Sequence, residues 1–283
     1  IWDEPNIAPH WGSRYVDAAD YAGLLREGAV QVRSADADAV VMLAALAPTV
    51  EEGGLNLSDL AYLDALYAAG AAPWFDAAAA QPYGFDRPPD DAPDAGVLNF
   101  RRAELLREVM LRRDDAATPV WLAAFGSRSV DGGLAEAWPG VDAETQAAWA
   151  VDALEWARRH WDWTTGLAWA ARQPQQPAGD LRWGFALKTP DGQPAPALTA
   201  LSEWAQAGHP LGPGHWTVDA PGIQAEGGWR QTPVAADPPN GATRGNNRLR
   251  IPFEGSTLAL EVQRGPYWGF LDVTVDGAAA NAL

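Results

Sequence analysis

The sequence predicts an α/β fold: parallel βα units over residues 1–208, then a small antiparallel β module over residues 209–283. Three observations predict it. In the first part, helix-spaced apolar residues alternate with short apolar runs of strand length. The helical stretches carry their own start and stop signals. Beyond a glycine- and proline-rich linker, residues 208–214, the apolar period falls to two.

Residues 1–2 read as the end of a strand. Asp17 then reads as an N-cap with Asp20 three residues on, and Tyr21, Leu24, Leu25, Ala29 and Val32 follow at helical spacing. Residues 39–46 (AVVMLAAL) have the length of a buried strand. Ser58 opens a second helix carrying Leu60, Leu63, Leu66 and Tyr67, and Gly70 ends it. Residues 74–80 read as a strand, although alanines dilute the signal. Residues 100–113 form a helix with Leu105, Leu106, Val109 and Met110 on one face. Residues 119–124 (PVWLAA) are a strand. Asp142 caps a long helix bearing Trp149, Leu154 and Trp156, residues 165–170 (TGLAWA) are a strand, and residues 195–206 are the last helix.

Strands that alternate with helices imply parallel pairing. No glycine-rich phosphate fingerprint follows any strand, which weighs against an open doubly wound sheet. The pattern fits the later part of a (β/α)8 barrel. A closed barrel takes about 250 residues, so three strands and most of a fourth are expected upstream, and the start at Ile1 points to a fragment or a processed chain. In residues 209–283, Leu258, Leu260 and Val262 alternate with polar neighbours, as do Leu271, Val273 and Val275. Asp276-Gly277 then supplies a hairpin turn. This part is expected to be a β-sandwich, interrupted at Leu283.

Composition narrows the function. The 283 residues are 47% hydrophobic, enough for a core, and carry a net charge of −17. That balance opposes binding to nucleic acid or to anionic lipid. No apolar run approaches the roughly 20 residues of a membrane helix. The absence of cysteine excludes a thiol nucleophile, disulfides and cysteine zinc sites. His10, His160, His209 and His215 lack ligand spacing, so neither a metal nor a cofactor is expected. Fifteen tryptophans fill a core or offer flat apolar platforms of the kind that stack on sugar rings.

Chemistry-bearing residues cluster where the predicted strands end, which is where barrel active sites are built. Residues 1–6 (IWDEPN) place Glu4 after the first strand end. Phe75-Asp76 leads to Gln81-Pro82-Tyr83-Gly84 after another, and Trp169 ends the last. These segments resemble strand-end signatures of clan A glycoside hydrolases, such as families 5 and 39. The resemblance spans about residues 1–207. It implies a general acid/base at Glu4 and sugar contacts from Asp3, Asn6, Trp11, Gln81, Tyr83 and Trp169. It also implies an oligo- or polysaccharide partner and an extracellular or cell-surface location. Asp3 stands where the family has Asn, and Gln81 where it has His.

One departure is decisive for chemistry. The family's nucleophile ends strand seven in a segment like W-I-T-E-F-G, and here residues 121–126 read WLAAFG, with Ala124 at the Glu position. Retaining hydrolysis needs a second carboxylate about 5–5.5 Å from the first, and a methyl group cannot serve. Three explanations remain: a natural pseudoenzyme, an engineered knockout (which would leave Asp3 and Gln81 intact), or a substitute carboxylate from Asp131 or Glu136. The non-catalytic alternative is a carbohydrate-binding or cell-surface structural protein. Asp86, Asp90, Asp91 and Asp94 read as a solvated acidic loop without ordered calcium spacing. In the C-terminal module, Trp229 and Tyr267-Trp268-Gly269 either contact sugar or pack inward.

Overall fold

The structure, a computed structural model, describes residues 1–130, 139–232, 235–237, 247–262 and 271–280. It is a mixed α/β arrangement with parallel strands. The helices follow the sequence signals closely. The Asp17 carboxylate accepts from the Ala19 and Asp20 amides at 2.8 and 3.2 Å, and α1 runs Ala18–Ala35. It buries Tyr21, Leu25 and Ala29, while Leu24 and Val32 stay exposed. α2 spans Asp59–Ala68. Ser58 precedes it without capping it; its hydroxyl accepts from Arg102 instead, at 3.4 Å. α3 is Arg102–Arg112, α4 is Ala143–His160 with Asp142 capping Thr145 at 2.8 Å, and α5 is Pro196–Ala207.

β3 (Val120–Ser127) organises the sheet. β1 (Ala78–Ala80) pairs with it in parallel on one side and β4 (Thr164–Trp169) on the other. β2 (Tyr83–Phe85) pairs in parallel with its C-terminal end. Three strand expectations are corrected. Residues 39–46 run as extended chain beside Ala77, just before β1, and residues 1–4 run beside them, neither in a continuous ladder. The Ile1 amine donates to the Met42 carbonyl and the Glu4 amide to the Ala45 carbonyl, while Met42 bridges Ala77. Side chains take the remaining ladder positions. The Tyr21 hydroxyl accepts from the Ala44 amide, Asp76 from Val41, and Asn6 from Ala47. The strand expected over 74–80 is shortened to β1, because Pro73 sets a 3-10 turn over Ala72–Trp74.

The core joins α1, α2 and α3 to this sheet through Tyr21, Leu25, Tyr62, Leu66, Met110 and Leu122. Beneath it, Arg102 and Asp59 form a fully buried ion pair at 2.6 Å, and the guanidinium also donates to the Ala95 and Val97 carbonyls. Burial pushes the Asp59 carboxyl up, and Arg102 counters it.

The C-terminal region departs from expectation. Among the described residues it forms three separate two-stranded antiparallel ladders. These are β5 (Gln224–Glu226) with β8 (Arg248–Arg250), β6 (Arg230–Thr232) with β7 (Ala235–Asp237), and β9 (Thr274–Val275) with β10 (Ala278–Ala279). The last turns at Asp276-Gly277 as expected. Leu258, Leu260 and Val262 join no ladder among the described residues, and β5 and β9 are exposed throughout. A sandwich needs two inward faces; among the described residues β5, β9 and β10 are exposed, and β6 and β7 are half-buried in part.

The segment read as a linker is docked. Leu211 is buried and pairs with residues 252–254, and Arg158 of α4 donates to the Pro210 carbonyl at 2.7 Å and to Glu254 at 3.0 Å. Gly212 lies against the Arg158 carbonyl, where a Cβ has no room.

Candidate functional site

β1, β3 and β4 run in parallel, with Ala80 level with Leu122 and Trp169 level with Phe125, and the extended residues 1–4 and 41–46 run in the same sense. Gln81, Ala124 and Trp169 therefore lie close to one level of the sheet, near its C-terminal side. Glu4 sits in a left-handed turn (φ 44°), a conformation rare outside glycine. Its amide donates to Ala45 at 3.2 Å and its carbonyl accepts from Ile7 at 3.3 Å, which fixes the turn.

The Glu4 side chain is 19% exposed. Burial raises its pKa; His10 opposes this, the Asp3 charge adds to it, and a hydrogen bond from Gln81 opposes it again. His10 Nδ1 lies 3.4 Å from Glu4 Oε2 and 3.5 Å from Asp3 Oδ2. Asp3 itself is largely in solvent. Burial, reinforced by the charges of Glu4 and Asp3, pushes the Tyr83 phenol up to about 12, so Tyr83 keeps its proton as a donor.

Phe185 links this cluster to Trp169. Its ring lies 5.3 Å from Tyr83, and its carbonyl accepts from Trp169 Nε1 at 2.6 Å. The Trp169 indole packs edge-on to Phe125 at 5.3 Å and lies over Gly126 (φ 138°), where a Cβ would come within 3.0 Å of the ring. Ala124 is buried in β3, directly before Phe125.

The structure thus brings together Asp3, Glu4, Gln81 and Tyr83, with Trp169 joined through Phe185. It treats two other expected contacts differently. Asn6 is fully buried, donates to the Ala47 and Leu57 carbonyls and accepts from the Ala47 amide, so its amide is spent on the fold. Trp11 is 6% exposed and packs edge-on against Tyr21 and Trp2 as part of the core; of the two indoles, Trp2 is the exposed one, at 56%. Asp131, Glu136 and Tyr267-Trp268-Gly269 lie outside the described residues. Trp229 is half-buried. In the acidic loop, Asp91 accepts from Arg87 and Asn99, and Asp94 from the Gly96 amide. Sequence reasoning missed His10 and Phe185. His10 carried a usable signal, a titratable ring six residues after Glu4 on the same loop; Phe185 carried none.

The arrangement holds one carboxyl whose protonated form is favoured, flanked by an imidazole, an amide and a phenol. A carboxyl shifted in this direction holds its proton more readily than a free one, which suits it to proton transfer. The second carboxylate of a retaining site has no counterpart at Ala124. Among the described residues, no group of three or more His, Asp or Glu is arranged to hold a metal, and no helix is long and apolar enough to cross a membrane.

No family model matches the chain, and no curated protein matches it. Solved structures similar to it are glycoside hydrolases. A glucosidase from Croceicoccus marinus is 17% identical with a TM-score of 0.51, and the match covers 72% of this chain and 39% of that one. A family 39 glycoside hydrolase from the gut symbiont Bacteroides cellulosilyticus WH2 is 22% identical with a TM-score of 0.48, over the same shares. The chain therefore spans about two fifths of the length of these proteins, and at such identity the likeness is one of fold.

Proposed function

We propose that residues 1–208 belong to a (β/α)8 barrel of glycoside-hydrolase type that binds β-linked oligo- or polysaccharide, with residues 209–283 as an accessory β module. In this reading Glu4 keeps the acid/base position and Ala124 occupies the place of the nucleophile. The protein holds sugar but no longer completes a double displacement. The observation that carries the reading is the Glu4 carboxyl itself: half-buried in a strained turn, and met by Gln81 and His10 at one edge of a parallel sheet. A residue with only a structural role has no need of a poised carboxyl there.

Gln81, Tyr83 and Asp3 supply hydrogen bonds to hydroxyls, and the half-buried Trp169 supplies an apolar face. Such contacts survive loss of the nucleophile, which favours the non-catalytic, carbohydrate-binding form of the reading over turnover. A polysaccharide partner places the protein outside the cell or at its surface. Titration calorimetry of the 283-residue chain with β-1,4- and β-1,3-linked glucan and xylan oligosaccharides tests this. Binding to at least one series, weakened by replacing Trp169, supports it. No heat with any series would sink it.

A further inference from the structure

The short loop after Glu4 contains a residue that neither the sequence motifs nor the fold likeness singles out. Asp3 and Glu4 are adjacent acids, and two carboxylates on one turn repel each other. The chain turns left-handed at both Trp2 (φ 70°) and Glu4 (φ 44°), which brings the two acids toward a common point. At that point stands His10, with Nδ1 3.4 Å from one carboxylate and 3.5 Å from the other. The histidine is held by its own backbone: Trp2 Nε1 donates to the His10 carbonyl at 3.1 Å, and the Trp11 amide closes the loop onto Ile7 at 3.0 Å.

We propose that His10 is the positioning residue of the Glu4 site: its imidazole stands between two adjacent carboxylates, relieves their repulsion and fixes the Glu4 carboxyl against Gln81. With two acids at Nδ1, the ring keeps its proton on that nitrogen, and Nε2 makes no hydrogen bond within the described structure. That leaves Nε2 open to a polar group of a ligand. The groups acting on Glu4 are then all named. Burial and Asp3 favour its protonated form; His10 and Gln81 favour its ionised form. Tyr83 is near enough to feel the charge in return.

The inference rests on Glu4 being the working carboxyl, yet it is testable without sugar. The experiment is a carbon-13 NMR titration of the Glu4 carboxyl, assigned with Glu4→Gln, in the unliganded chain and in His10→Ala and His10→Asn. The imidazole favours the ionised form of Glu4, so removing it moves the midpoint of Glu4 up in both variants. His10→Asn is nearly isosteric and guards against a folding failure of His10→Ala. A third variant, Trp2→Phe, keeps an aromatic ring but removes the bond to the loop, and is expected to move the midpoint the same way by a smaller amount. An unchanged midpoint in folded His10→Asn overturns the proposal. A protein that binds no oligosaccharide but shows the shift would sink the functional reading and leave the His10 assignment standing.

Discussion

At the scale of single residues, the proposed site rests on Glu4 and on what surrounds it. Its folded-state pKa is raised above the unfolded value, chiefly by burial. A group shifted in this direction contributes stability below its unfolded pKa, and that contribution is lost as pH rises through the folded pKa. Glu4→Gln removes the loss. The difference in melting temperature, variant minus wild type, is therefore expected to grow more positive from about pH 4 to about pH 7.5. Thermal melts across that range check it, and a flat difference would contradict the burial argument. Trp169 makes a second residue-scale prediction. Trp169→Ala is expected to weaken oligosaccharide binding about tenfold, near 1.4 kcal/mol, measured by calorimetry. Asn6 belongs to the fold, so Asn6→Ala should lower stability through the buried Ala47 and Leu57 groups it leaves unpaired.

At the scale of elements, α2 and α3 are joined by a charge pair that water does not reach. Arg102 and Asp59 are each about 1% exposed. Removing one partner leaves the other charged and unpaired in the core. Arg102→Met is expected to cost about 3–5 kcal/mol in denaturant unfolding, and Asp59→Leu combined with it to recover most of that loss. A cost under about 1 kcal/mol for the single variant would mean that the pair is weaker than its geometry implies. The elements also show where sequence reading succeeds. The Asp17 and Asp142 caps marked α1 and α4 because a local side chain does the capping. Residues 39–46 looked like an ordinary strand, but Tyr21, Asp76 and Asn6 occupy part of their backbone, and side chains from distant positions leave no local trace.

At the scale of the whole molecule, the parallel sheet was legible from alternating periods, and the proximity of Glu4 to Gln81 fits the strand-end motifs that named both. The C-terminal region was less so. Alternation at Leu258, Leu260 and Val262 predicted a strand, yet alternation alone does not supply the partner sheet that would bury it. His10 escaped because its contact with Glu4 exists only once the loop has folded back. The docking of residues 209–212 onto α4 was likewise invisible in a glycine- and proline-rich stretch. Arg158 holds that contact, so Arg158→Leu is expected to speed amide exchange at residues 209–212 and 252–254 while leaving β3 protected. Equal protection in wild type and variant would show that the segment is held by other contacts.

The central claim of the proposal is that the site retains an acid/base at Glu4 and lacks the nucleophile at Ala124. The most direct test is hydrolysis of aryl β-glycosides by the chain and by Ala124→Glu. The account predicts no turnover by the native protein, turnover by Ala124→Glu, and its loss again when Glu4→Gln is added. Turnover by the native protein that Glu4→Gln abolishes would contradict it, because another carboxylate would then be serving in place of the missing one.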